Sequence, residues 1–234
     1  MLAIQENEAE LIRGLTRKDN VLVVGHSPRN FETAGKLTET DSQQIRVGYI
    51  GSANYSNWHS LNRFLIEVWP ELIASSEFNA ELKIAGKICD WFELHTPDRL
   101  KSMTDNRIEL MGEVDELSDF YDNIDIAINP VQFGTGLKIK NVEAMAYGKP
   151  LVTTASGASG MSVDAQKQCR VVRNLQEMAE QLLELCRNPQ TRVEEGIASK
   201  NLANSEYSDR SVYSELAKHF TELAQNAGKT QTIG

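Results

Sequence analysis

Short apolar runs recur along this chain with amphipathic segments between them, and that alternation restricts the possible folds more than any other feature. The runs are Val21–Val24, Ile45–Ile50, Leu82–Ala85, Arg107–Met111, Ile124–Ile128, Leu151–Thr154 and Arg170–Val172. Most are bounded by Gly, Asn or Pro, as strands buried in a parallel sheet should be. Between them, Leu61, Phe64, Leu65, Val68, Leu72 and Ile73 fall on one helical stripe. Pro70 should kink or break that helix, because its ring removes an N–H and crowds the preceding turn. Val142, Met145 and Ala146 form part of a second stripe. Strands alternating with helices predict βαβ units, and so an α/β fold with a Rossmann-like, doubly wound parallel sheet.

The two ends differ from this pattern. Residues 1–25 read as a helix, about Glu6–Leu15, and the strand Val21–Val24, followed by a polar linker at 26–44 that holds Ser27, Pro28, Asn30, Gly35, Thr38, Thr40 and Ser42. The alternating core is expected over 45–204. Beyond the last apolar run, Leu175–Leu185, Val193–Leu202 and Val212–Leu223 read as helices, the last preceded by the candidate caps Ser208 and Asp209. Residues 205–227 are then a C-terminal helix and 228–234 a loose tail.

Charge and cysteine content narrow the functional classes. A net charge of −9 and a pI near 5.1 argue against a nucleic-acid or anionic-membrane surface, while leaving room for a local basic cluster around a small anion. Cys89, Cys169 and Cys186 are too irregularly spaced for a disulfide frame or a zinc site, and fit reduced thiols. The sequence holds no apolar run of membrane-spanning length, and Met1–Glu6 lacks a signal-peptide layout, so the expected location is the cytoplasm. His26, His59, His95 and His219 show no metal-ligand spacing, and Ser156–Gly160 has no strand-to-helix nucleophile context.

The chemistry concentrates in residues 124–154, IDIAINPVQFGTGLKIKNVEAMAYGKPLVTT. A strand ends at Asn129–Pro130, a loop carries Gly134, Thr135 and Gly136, and a helix follows. Gly148 is placed to close that helix, with Pro150 preventing its continuation. A strand feeding a glycine-rich loop at a helix N-terminus suits phosphate: backbone N–H groups can approach the anion and the helix dipole favours its charge. Lys138 and Lys140 in the first turn would favour a diphosphate, and Glu143, a turn later, could accept from ribose hydroxyls. The same residues also fit a plainer description, with solvated lysines and Glu143 paired to Lys140 at i,i+3.

The segment GTGLKIKNVEAMAYGKPLVTT resembles the donor-site signature of the retaining GT-B glycosyltransferases, of the glycosyl transferases group 1 or family 4 type. It is most similar to a bacterial branch with a GSG- or GTG-type loop, a basic-x-Lys pair and Glu-Ala-Met-Ala-x-Gly-x-Pro. GYIGSANYSNWHSLNRFLIEVWPEL (48–72), LKIAGK (82–87), IELMGEVDELSDFYDNIDIAINP (108–130) and TASGASGM (154–161) are similar to further stretches in the same order. The resemblance implies a nucleotide-sugar-binding Rossmann-like domain, the C-terminal half of a GT-B enzyme, that retains configuration at the transferred hexose.

It also assigns positions. Gly51 and Ser52 match the glycine loop facing the diphosphate; Gly112, Glu113 and Val114 match the segment whose backbone meets the nucleobase. Gly134, Thr135 and Gly136 match the loop near sugar and phosphates, Lys138 and Lys140 the basic pair, and Glu143 the carboxylate on the ribose. Two departures bear on this assignment. Thr135 stands where much of the family has the first Glu of Glu-x7-Glu, and Ala53–Asn57 contains no cation where many members carry Arg and Lys. The expected donor is a UDP- or GDP-sugar, with no metal and no other cofactor, and the catalytic side chain is expected outside this sequence. Residues 1–25 resemble the last helix and strand of an N-terminal acceptor domain, the natural partner. That points to a piece of a longer enzyme, inactive alone, in preference to one half of a split protein. A non-catalytic nucleotide-sugar-binding subunit and a nucleotide-sugar epimerase are the alternatives; a nicotinamide-binding domain fits less well, because no GxGxxG follows the first strand.

Overall fold

The apolar runs pair side by side as parallel strands. The computed structural model describes residues 1–17, 19–28, 44–74, 79–95 and 107–230. Most of the anticipated linker, 29–43, lies outside them, as do residues 231–234 of the anticipated tail. Among the described residues, a six-stranded sheet is built from β3 (Gln44–Ile50), β4 (Asn79–Ala85), β5 (Ile108–Gly112), β6 (Ile126–Asn129), β7 (Leu151–Thr154) and β8 (Arg170–Val172), in the order β5-β4-β3-β6-β7-β8. All its pairings are parallel, with Val47 opposite Leu82 on one side and Ile126 on the other. This is the Rossmann order, with the chain reversing direction across the sheet between β3 and β6. A smaller pair, β1 (Leu2–Ala3) and β2 (Leu22–Val23), flanks helix α1 (Glu6–Thr16).

Helices cover both faces. On one lie α2 (Tyr55–Glu67), α3 (Trp69–Ala74), α4 (Ile88–His95) and α9 (Leu175–Arg187). Pro70 falls where the anticipated stripe divides into α2 and α3. α9 shows why such segments become helices: Leu175, Met178, Ala179, Leu182, Leu185 and Cys186 repeat on one buried face, and the Asn174 side chain accepts from the Glu177 N–H at 2.9 Å. On the other face lie α5 (Leu117–Tyr121), α6 (Ile139–Ala146), α7 (Ala155–Ala158), α8 (Val163–Gln168) and α10 (Pro189–Glu206). Alternation persists even in the buried strands: Ile126 and Ile128 of β6 face the first helix layer and Ala127 the second.

Arg46 and Asp125 fasten the junction of β3 and β6. The guanidinium makes two hydrogen bonds, 3.1 and 2.9 Å, to the two carboxylate oxygens, and the Arg46 backbone N–H adds a third at 2.8 Å. At the far end, α11 (Asp209–Thr230) extends three residues past the boundary at which a loose tail was expected. It runs back beside the small β1–β2 pair, leaving a cavity of about 370 Å³ lined by Leu2, Val21, Leu216 and Phe220 among others. The three cysteines are buried and unpaired, and burial pushes their thiols up to about 11 for Cys89 and about 12 for Cys169 and Cys186. None is a thiolate at neutral pH. Among the described residues, no helix is long and apolar enough to cross a membrane.

Candidate functional site

β3 delivers the chain to α2 on one face of the sheet, and β6 delivers it to α6 on the other. Because these two strands are neighbours, a crevice opens at their carboxyl ends, where open α/β sheets hold ligands. Every residue singled out from the sequence lies at this end. Gly51 and Ser52 follow β3, Gly112 closes β5 with Val114 just beyond it, Gly134, Thr135 and Gly136 follow β6, and Lys140 and Glu143 stand in α6.

The loops are stacked through backbone contacts. The Gly51 N–H donates to Ala85 O at 3.0 Å, the Gly51 carbonyl accepts from the Ile88 N–H at 3.1 Å, and the Gly86 N–H donates to Gly112 O at 2.7 Å. Gly86 makes the stacking possible: its φ is +90°, and a Cβ there would sit 2.4 Å from Gly51 O. Sequence reasoning gave Gly86 no role, although a glycine directly after an apolar strand was the available signal. Past β5 the surface is simpler. Val114 is half-buried against the core cluster under α6, and Glu113 makes an exposed 3.6 Å ion pair with Lys87.

Side chains brace the first loop. Asn54 caps α2 by accepting from the Asn57 N–H at 2.9 Å, and the buried Asn57 amide donates to Ser52 O at 3.0 Å and Ser52 Oγ at 3.3 Å. In the second loop Gly134 and Gly136 take left-handed φ values of +116° and +84°. Lys138, the residue at the helix cap, turns back onto this loop and donates to Thr135 O at 3.1 Å and Gly136 O at 2.7 Å. The two lysines, equivalent in the sequence, therefore do different things. Gly148 ends α6 with φ +66°, as its position predicted.

Lys140 points across the crevice. Its ammonium donates to the Tyr49 hydroxyl at 2.9 Å and to Asn57 Oδ1 at 3.2 Å, and stands 4.1 Å above the centre of the Tyr49 ring. Loss of water around the ammonium lowers its pKa to about 7, with neighbouring Lys138 acting in the same direction and Glu143 opposing. Lys140 makes no direct bond with Glu143. The Glu143 carboxylate instead faces the Tyr121 hydroxyl at 3.3 Å, and that hydroxyl also reaches Lys140 O at 3.1 Å. Burial raises the Glu143 carboxyl above its usual range, against the Tyr121 hydrogen bond and the Lys140 charge. Tyr121 is itself held by stacking on Tyr147, ring centres 4.7 Å apart. The crevice thus offers the N-terminal end of α6, which no cap side chain covers, one buried amine, and one carboxylate a turn further on. Among the described residues no group of three or more His, Cys, Asp or Glu is placed to hold a metal ion.

The profile of the glycosyl transferases group 1 family matches residues 44–188, more than half of the chain. The chain belongs to that family. A Klebsiella pneumoniae relative, an uncharacterized 44.6 kDa protein in the cps region, is 24% identical over 186 residues, covering 78% of this chain and 48% of its own length. The group 1 glycosyltransferase fold is shared with Anabaena HepE in complex with UDP, at a TM-score of 0.72, 12% identity, and coverage of 94% of this chain and 63% of that one. It is also shared with a TarM mutant of S. aureus in complex with fondaparinux, alpha-GlcNAc-glycerol and UDP, at 0.69, 16%, 93% and 43%. The chain has the GT-B, Rossmann-like fold, and it spans about half the length of the curated relative it matches.

Proposed function

We propose that this crevice holds a nucleoside diphosphate sugar, UDP- or GDP-linked, for retaining transfer of a hexose to an acceptor. The observation that carries the reading is the position of the Lys140 ammonium beside the first glycine loop, with the α6 N-terminus and Glu143 completing the same pocket wall. In this arrangement Gly51, Ser52 and the amides of Gly134–Gly136 approach the diphosphate, and Lys140 neutralises its charge. Lys138 adds to this once it exchanges its two loop carbonyls for phosphate oxygen. Glu143 accepts from the ribose, and the backbone of Gly112–Val114 meets the base. Stabilisation of the departing diphosphate by dipole and cation needs no bound metal. The UDP held by the HepE and TarM structures supports the same class of donor.

The division of labour belongs to this proposal. Residues 45–204 hold the donor, and 1–25 end an acceptor-binding domain supplied by the rest of a longer, cytoplasmic enzyme. Positioning both reactants can contribute about 7–11 kcal/mol of barrier reduction, which one wall of a cleft does not provide. The 234-residue chain should therefore bind donor and fail to transfer it. Calorimetry with UDP and GDP tests the binding. Glu143→Ala should cost about 1.5–3 kcal/mol, tenfold or more in affinity, by removing a charged acceptor. Unchanged affinity in that variant would remove Glu143 from the ribose, and hexosyl transfer at ordinary enzyme rates by this chain alone would overturn the division of labour.

A further inference from the structure

The Asn57 side chain touches both walls of the crevice. It is buried, and both ends of its amide are engaged: Nδ2 holds Ser52 O at 3.0 Å and Ser52 Oγ at 3.3 Å, while Oδ1 accepts from Lys140 Nζ at 3.2 Å. These contacts fix the orientation of the amide, since a flipped group would set two donors against each other at Lys140. Tyr49, fully buried at the end of β3, adds a hydroxyl at 2.9 Å and a ring face at 4.1 Å. The ammonium consequently lies so close to the first loop that a Cβ on Gly51 would fall 3.2 Å from Nζ and 2.9 Å from the Tyr49 hydroxyl. An ammonium has three donors, and two are already committed, so the third is left for a ligand.

We propose that Asn57 and Tyr49 are positioning residues that hold Lys140 against the glycine loop, so that one fixed amine serves the diphosphate in place of cations absent from Ala53–Asn57. The inference rests on the donor reading above and adds to it a means of aiming the charge. A free lysine loses side-chain entropy when it clamps a phosphate, and a lysine held by two partners has lost it beforehand. The groups around Lys140 define its titration. Tyr49 from β3 is kept neutral by burial, Asn57 from α2 is uncharged, Glu143 from α6 favours the ammonium, Lys138 disfavours it, and the Tyr121 hydroxyl from α5 meets the Lys140 carbonyl.

The test compares Asn57→Leu, Asn57→Asp and Tyr49→Phe with the parent protein. It reads the Lys140 side-chain titration by NMR without ligand, and UDP and uridine affinities by calorimetry. Asn57→Leu should lower the Lys140 pKa and weaken UDP about tenfold, with uridine unchanged. Asn57→Asp should move the titration the opposite way, upward, yet also weaken UDP, because its carboxylate competes with phosphate for the ammonium. Tyr49→Phe keeps the ring and should show the smaller loss. A Lys140 titration unmoved in folded Asn57→Leu and Asn57→Asp would overturn the proposal, and so would equal losses for UDP and uridine. If the parent binds neither UDP nor GDP, the donor reading fails, while the unliganded titration still decides whether Asn57 governs Lys140.

Discussion

The two faces of the six-stranded sheet are packed by different means. The face under α2, α3, α4 and α9 is filled with large apolar side chains, Trp69, Phe64, Phe92, Leu61, Leu65 and Leu82 among them. The face under α6, α8 and α10 sets Ala144, Ala146, Ala158, Ala165 and Ala203 among larger side chains such as Phe120, Tyr121 and Tyr147. A buried polar thread crosses it: Asn129 Nδ2 donates to Asn141 Oδ1 at 2.8 Å, and Asn141 Nδ2 donates to Gly157 O at 2.9 Å. Large side chains bury the most area and contribute most to stability. Small ones and directed hydrogen bonds let a helix approach closely and fix its rotation and height. The site helix stands on the second face. The second face thus sets the helix that carries Lys140, while the side chains that hold its ammonium, Tyr49 and Asn57, come from the first.

That contrast can be broken by experiment, beginning where the effect should be largest. Phe64→Ala removes a fully buried ring from the apolar face and should cost about 3–5 kcal/mol in urea unfolding. Nucleotide affinity of the folded fraction should stay as it was; a large loss would mean that the two faces are not separable. Asn141→Leu is the reciprocal case. It leaves the Asn129 amide and the Gly157 carbonyl without their partner, about 1–3 kcal/mol for each buried orphan, and loosens α6. Nucleotide affinity should fall together with the urea midpoint, whereas a change in stability alone would reduce the polar thread to a packing device.

Lys140 sharpens the contrast further, because here aim and stability oppose each other. Its pKa is near 7 in the folded protein and ordinarily about 10.5, so between those values the unfolded chain binds more protons. The contribution of this residue to stability therefore improves as pH rises from about 7 towards 10.5, and at neutral pH the buried amine is a burden. Lys140→Met should raise the thermal midpoint at pH 7 while sharply weakening diphosphate binding. The smallest effect should be in the pH dependence of the parent. Affinity for UDP should decline as pH rises above about 7, and binding at pH 8 should take up protons. Calorimetry in buffers of different ionisation enthalpy would detect the uptake; none would mean that Lys140 binds phosphate without changing its charge.

The sequence disclosed the sheet readily, because fully buried parallel strands leave unmistakable apolar runs between turn residues. The β4 pairing begins at Asn79, ahead of the apolar stretch, because Asn79 and Glu81 join the ladder through their backbones, opposite Gln44 and Arg46, without adding to the apolar run. The helix Pro189–Glu206 begins four residues before the expected Val193, and Pro189 was the signal, since proline suits a first helical position. α5, α7 and α8 are each shorter than two turns, too short to display a period. In the site, the glycines, lysines and Glu143 were legible as types at a spacing. The partners of Lys140 were not: Tyr49 lies 91 positions away and Asn57 83, and no local pattern joins residues so distant. Nor could spacing distinguish Lys138, folded onto its own loop, from Lys140.

The junction of β3 and β6, clamped by Arg46 and Asp125, has a kinetic consequence. Closing it brings together positions 79 apart in the chain, whereas β3, β4 and β5 pair with nearer neighbours. Loop closure at that separation loses entropy before contacts repay it, so the junction is expected among the later events of refolding. The crevice straddles it, with Gly51, Tyr49 and Asn57 on the early side and Lys140 and Glu143 on the late side. A refolding chain should accordingly acquire secondary structure first and the ability to bind nucleotide afterwards, in one step, as the two halves of the sheet meet.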